Sequence, residues 1–151
     1  MIPPRAKVTG LYANSALAKT EAWENGFDEA ILLNQDGHVS EGSGENIFLV
    51  VEGRLVTPPA SDNILVGITR NTIIELAKKE LGVDTVERSI GRNELYIADE
   101  CFLTGTAAEI VPVSSVDGRE IGSIRPGPVT RQLTAAFREQ TRTSGLPVSE
   151  G

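Results

Sequence analysis

Among residue types able to bond covalently to a substrate or cofactor, this 151-residue chain holds four lysines, one cysteine and one histidine. Lys19, Lys78 and Lys79 fall on helical patterns, where a solvated charge is the ordinary role. Lys7 differs: it follows Pro3-Pro4 and precedes Val8-Thr9-Gly10, in extended chain. Two readings stay open from the residues alone. Lys7 is either a surface lysine, or an amine held near the core with a lowered pKa that forms a Schiff base with an aldehyde cofactor. The run Ser40-Glu41-Gly42-Ser43-Gly44-Glu45-Asn46 is likewise either a glycine-rich hairpin loop with two solvated acids or a ligand loop. In the second case the glycines let backbone approach closely, and a glutamate at a strand end pairs with a protonated ring nitrogen.

Two segments suit an anion. Gly67-Ile68-Thr69-Arg70 begins a helix, where backbone N–H groups and a hydroxyl converge. Thr104-Gly105-Thr106-Ala107-Ala108 is a small-residue turn directly after an apolar strand. Neither has the glycine-lysine spacing of a Walker loop. A capped helix and a tight turn explain both equally well, and Arg70 is either a phosphate ligand or part of a solvated face.

Other chemistries find little support. One cysteine and one histidine do not make the usual zinc sets. Gly42-Ser43-Gly44 is not a nucleophile elbow, and Cys101, inside an apolar run, reads as core rather than as the partner of His38. Asp99 and Glu100, adjacent at a strand end, point to opposite faces. The net charge of −7 argues against a nucleic-acid surface, and Trp23, the tyrosines and the phenylalanines are too scattered for a stacking platform. Apolar runs such as residues 47–51 are too short to cross a bilayer, and the first residues lack a signal-peptide core. The expectation is a cytoplasmic domain in a reduced compartment, binding neither membrane nor nucleic acid.

These groups need elements to position them. Residues 13–25 read as a helix with Leu17, Ala18 and Ala22 on one side, Asn14 or Ser15 as cap and Gly26 as stop. Residues 29–34 and 38–40 form a hairpin around Asn34-Gln35-Asp36-Gly37, and 46–51 with 54–57 form a second. An irregular stretch leads to a helix over 69–81, capped by Thr69 and ended by Gly82. Then follow a strand at 83–89, a helical turn at 92–96, a buried strand at 101–104, strands at 110–113 and 115–121 around Asp117-Gly118, and a helix from Pro128 to about residue 141. The class expected is mixed α/β (α+β) in one domain, not a doubly wound parallel sheet.

The ordered set of segments resembles the class IV pyridoxal-phosphate aminotransferases, most closely the branched-chain amino acid group. The stretches that carry the resemblance are Ala6-Lys7-Val8-Thr9-Gly10-Leu11-Tyr12, the run from Val39 to Phe48, and Gly67-Ile68-Thr69-Arg70. Glu94 to Glu100, Phe102 to Ile110, Val116-Asp117-Gly118 and Gly127-Pro128-Val129-Thr130 follow in order. The resemblance implies a pseudobarrel of strands with flanking helices, pyridoxal 5'-phosphate as cofactor, and transamination between leucine, isoleucine or valine and 2-oxoglutarate. It assigns Lys7 as the Schiff-base lysine and proton shuttle. Tyr12 is assigned to the cofactor's phenolic oxygen, Glu41 to its ring nitrogen and Leu65 to its ring face. Ile68 and Thr69 would give backbone N–H groups to the phosphate and Thr106 its hydroxyl, while the N–H groups of Thr106 and Ala107 would receive the substrate carboxylate.

Members of that family are about twice this length, and a smaller N-terminal domain precedes the lysine, supplying a phosphate arginine and much of the side-chain pocket. Residues 1–151 are therefore expected to be the larger C-terminal domain, with 143–151 a frayed tail and the small domain absent. An exposed apolar face and a homo-oligomer, a dimer or higher, are expected. The alternatives are an inactive fragment or non-catalytic module of the same fold, and another class IV activity, D-amino-acid transamination or aminodeoxychorismate lysis.

Overall fold

The computed structural model describes residues 7–144. Its centre is a pair of near-continuous apolar strands, β3 (Asn46–Val51) and β6 (Glu100–Gly105), antiparallel with Ile47 opposite Leu103 and Leu49 opposite Cys101. Strands this apolar must be covered on both faces, and the alternation of side chains sorts their residues into two cores. Ile47, Leu49, Cys101 and Leu103 point inward to meet Val39, Ile90, Leu95 and Ile121. Phe48, Val50 and Phe102 point outward and pack beneath helices α2 (Ile68–Leu76) and α3 (Pro128–Thr143), against Ile73, Leu76, Leu133 and Phe137. The Phe48 and Phe102 rings stack with centroids 5.1 Å apart, so truncating either to alanine costs about 3–5 kcal/mol.

Around this pair lie β4 (Arg54–Thr57), β5 (Thr85–Glu87) and β7 (Glu109–Pro112), giving a five-stranded sheet of order β5-β4-β3-β6-β7. Two short sheets, β1 (Ile31–Leu33) with β2 (Val39–Gly42) and β8 (Ser115–Val116) with β9 (Arg119–Glu120), complete the strands. With helices outside the large sheet and a core enclosed by strands, the molecule has the mixed class and pseudobarrel build expected of it. The β4–β5 pair is parallel, and the crossover it requires is supplied by α2 and a wider π-type continuation, Ala77–Leu81. Gly82 ends that continuation at φ 67°, in the left-handed conformation that favours glycine.

Several details depart from the local reading. Thr69 does not cap α2; Gly67 occupies that position, without a capping side chain. Asn14 and Ser15 lie inside the first helix, α1 (Tyr12–Glu24), which a short 3-10 turn at Thr9–Leu11 introduces. The apolar side expected of α1 is not buried, and Leu17 and Trp23 are 73% and 79% exposed. Helix α3 runs to Thr143, so residue 143 is helical; residues 145–151 of the expected tail lie outside the described residues. Among the described residues, no helix is long and apolar enough to cross a membrane.

Candidate functional site

One cleft of about 340 Å³ is lined by Lys7, Tyr12, Glu41 and Leu65, with Asn14, Ser15, Ser40 and Asn63 among its other walls. Lys7 is exposed, and Val8 after it is extended and caps the 3-10 turn that leads into α1. The turn brings Tyr12 to the same cleft. Opposite them, the β1–β2 hairpin is held by Asn34, whose Oδ1 accepts the N–H groups of Asp36 and His38, both at 3.0 Å. That hairpin carries Ser40 and Glu41 into the cleft.

Glu41 is the electrostatic centre. Its Oε2 accepts the Leu65 N–H at 2.9 Å and an Asn46 Nδ2–H at 3.4 Å. Burial pushes its carboxyl up to about 7, against the pull of the Leu65 amide and with added repulsion from Glu45. Among the described residues, no basic side chain forms an ion pair with it. A partly buried acid near neutrality, short of donors, is a natural acceptor for a cationic N–H from a ligand. Burial also raises the Glu45 carboxyl. Nearby, Glu29 pairs with Lys19 at 2.8 Å; Lys19 is a surface charge on α1, as expected, with its head half exposed beside this partner.

The α2 start lies next along the chain. Its first intrahelical bond runs from the Asn71 N–H to the Gly67 carbonyl at 3.2 Å, which leaves the amides of Ile68, Thr69 and Arg70 without carbonyl partners in the helix. Thr69 is buried, while the Ile68 side chain is 85% exposed, so Ile68 can serve a ligand only through its backbone. Arg70 is neither on a solvated face nor turned to an anion at this helix start. It is buried, with Nη2 donating to the Pro58 carbonyl at 3.1 Å and to Glu87 at 2.6 Å. Thr106 and Ala107 are exposed in the turn after β6. They are not part of the cleft lining but belong to a neighbouring loop: a Cβ at Gly105 would lie 3.5 Å from the Gly44 carbonyl oxygen, and Thr104 is opposite Asn46 in the β3–β6 ladder.

The sequence placed Asn46 in the candidate loop Ser40–Asn46 but gave it no role of its own; it is a buried amide at the head of β3 that touches Glu41 and the Leu65–Gly67 segment. Asp99 and Glu100 have structural duties. Asp99 accepts the Glu52 N–H at the β3–β4 turn, and Glu100 is committed to the start of α3. A second hollow of about 380 Å³ lies beside them, and its buried acid is already satisfied. Cys101 is core as expected, with burial pushing its thiol up to about 12, far from a reactive thiolate.

The pseudobarrel thus brings an amine, a phenol and a donor-poor acid to one cleft, with an open helix start a few residues beyond Leu65. The amino-transferase class IV family model matches residues 2–116, and the chain belongs to that family. It is 61% identical over 141 residues to a probable branched-chain-amino-acid aminotransferase of Aquifex aeolicus, covering 93% of this chain and 45% of that one. With the branched-chain-amino-acid aminotransferase of Escherichia coli it shares 51% over 136 residues, 90% of this chain and 44% of that one. A crystal structure of the Thermobaculum terrenum branched-chain amino acid aminotransferase in its PLP form superposes with a TM-score of 0.90 at 48% identity, covering 92% of this chain and 45% of that one. The chain spans about half the length of the curated relatives it matches.

Proposed function

We propose that this chain is the cofactor-binding part of a branched-chain amino acid aminotransferase, acting on leucine, isoleucine or valine with 2-oxoglutarate. The observation that carries the reading is the convergence of Lys7, Tyr12, Glu41 and Leu65 on one cleft. The residues fit pyridoxal phosphate: Glu41 is an acid in want of a cationic N–H, and the α2 amides offer an anion cradle. Pyridoxal phosphate, when bound, supplies a ring that withdraws electrons from the substrate Cα once its proton has left.

The chain's own residues do the rest. Glu41 holds a proton at the ring nitrogen, and Tyr12 donates its O–H to the phenolic oxygen. Leu65 packs on the ring face. The backbone N–H groups of Ile68 and Thr69, with the Thr106 hydroxyl, bind the phosphate. Those of Thr106 and Ala107 receive the substrate carboxylate. Lys7 Nζ would hold the cofactor through its aldehyde carbon; once the substrate's amine has displaced it there, the freed Nζ would be the base that carries the substrate Cα proton to that same carbon. A cytoplasmic location and a homo-oligomer belong to this reading; the exposed Leu17, Trp23 and Ile68 side chains support the second of these.

Incubation with pyridoxal phosphate, borohydride reduction and peptide mass spectrometry test it. Adduct at Lys7 alone, lost in Lys7→Ala and suppressed by competing phosphate, is the expected result. Scattered labelling over Lys19, Lys78 and Lys79, with Lys7 no better, would overturn the reading.

A further inference from the structure

Three chain segments meet at a residue that makes none of the ligand contacts proposed above. Asn46 is buried, its side chain enclosed between the end of β2 and the approach to α2. Its Nδ2 donates to the Leu65 carbonyl at 2.7 Å and to Glu41 Oε2 at 3.4 Å. Its Oδ1 lies against Gly67, so close that a Cβ there would collide with it. The Leu65 peptide answers in the other direction, donating its N–H to the same Glu41 oxygen at 2.9 Å. The amide thus closes a ring of hydrogen bonds through Asn46, Leu65 and Glu41, braced on the residue that begins α2.

We propose that Asn46 is a positioning residue: its carboxamide sets the Leu65 peptide against the Glu41 carboxylate and fixes both to the start of α2, so that the acid and the anion cradle keep one geometry. The physical case rests on donor count. A buried carboxylate is held in place, and held ionisable, by the N–H groups aimed at it. Glu41 has two such donors: one is the Asn46 amide, and the other sits on a peptide whose carbonyl Asn46 grips. Removing the amide frees the Leu65 carbonyl and weakens both. Reversing one donor into an acceptor, as aspartate does, sets a further negative charge beside Glu41, in addition to that of Glu45.

The proposal rests on Glu41 being the ring-nitrogen partner only for its consequence in catalysis, and the test separates the two. The Glu41 carboxyl is titrated by carbon-13 NMR in the full chain without cofactor, its signal assigned with Glu41→Gln. The parent, Asn46→Ala and Asn46→Asp are compared. The parent midpoint is expected at about 7. Asn46→Asp is expected to raise it by about one pH unit or more, as a close like charge does, and Asn46→Ala by less. Both are expected to weaken pyridoxal phosphate uptake about tenfold, as loss of a hydrogen bond to a charged group does. Variants that fold, by circular dichroism, yet titrate like the parent would overturn the proposal and leave Asn46 a packing residue. If Asn46→Asp does not fold, Asn46→Ala and Asn46→Ser decide by the same titration. Failure of the parent to take pyridoxal phosphate at Lys7 would overturn the cofactor reading instead, while the titration still judges Asn46.

Discussion

Helices α2 and α3 begin alike and are completed differently. Each has a glycine at its N-cap, Gly67 or Gly127, and neither glycine has a side chain to offer the amides that follow. At α3 the protein supplies its own anion. The Glu100 carboxylate, buried on β6, accepts the Val129 N–H at 2.9 Å, the Thr130 N–H at 2.8 Å and the Thr130 hydroxyl at 2.6 Å. Gly127 is what admits it, since a Cβ at that position would run into the Glu100 side chain. At α2 the residue against the glycine is Asn46, a neutral amide that turns its donors elsewhere. Both starts carry the positive end of a helix dipole, but α2 presents three backbone amides, Ile68 to Arg70, and α3 only two, because Pro128 has no N–H. The contrast separates a helix start that is finished as part of the fold from one whose amides stay open, the start proposed above to take a phosphate.

The largest effect should come from breaking the finished end. Glu100→Ala removes three hydrogen bonds to a buried carboxylate and strands their donors, a loss of about 3–4 kcal/mol by urea unfolding. Lys7 labelling is expected to persist at denaturant concentrations where this variant is still folded. A cost below about 1 kcal/mol would show that the α3 start is not held by this acid.

Gly67→Ala perturbs the open end more gently. The new Cβ pushes on Asn46, for about 1–2 kcal/mol of stability and weaker pyridoxal phosphate uptake, both readable by thermal unfolding with and without the cofactor. An unchanged affinity would argue that the α2 start is not the phosphate cradle.

Glu41 sharpens the comparison through pH. Its folded pKa of about 7 lies above the ordinary 4.5, so the folded state holds more protons than the unfolded state between these values. Stability from this group is therefore full below about pH 4.5 and falls as pH rises toward 7. Glu41→Gln should remove that slope and leave the cofactor-free chain about 1–2 kcal/mol more stable than the parent above pH 7, allowing for solvent screening of a partly exposed group. Equal stability across the pH range would mean that Glu41 is already paired. Smallest of all, Glu21→Gln on exposed α1 should change the unfolding free energy by no more than about 0.5 kcal/mol.

Part of the candidate cleft is legible in the sequence. Lys7, Tyr12, Glu41 and Leu65 were named as site residues through a resemblance in motif order, and they line one cleft. Glycine turns were also readable, as with Gly26 at φ 82° and Gly118 at φ 74°. Arg70 was not readable, because helical position says which face a residue is on but not that Pro58 and Glu87 will cover that face. Nor was α1: its apolar spacing matched a buried helix, yet no residue of it is buried among those described.

Sequence by itself determined what depends on neighbours along the chain. Apolar runs became β3 and β6, Pro128 after Gly127 opened α3, and left-handed glycines closed turns, because these choices are settled by sterics and side-chain period within a few residues. Tertiary structure decided which polar groups meet: Asn46 with Leu65, Glu100 with Thr130, Arg70 with Glu87, and β4 in parallel with β5. Those partners are far apart in the chain, and only packing two apolar cores around one sheet brings them within hydrogen-bonding reach. A buried carboxylate becomes a helix cap or a ligand acceptor according to how many donors that packing delivers to it.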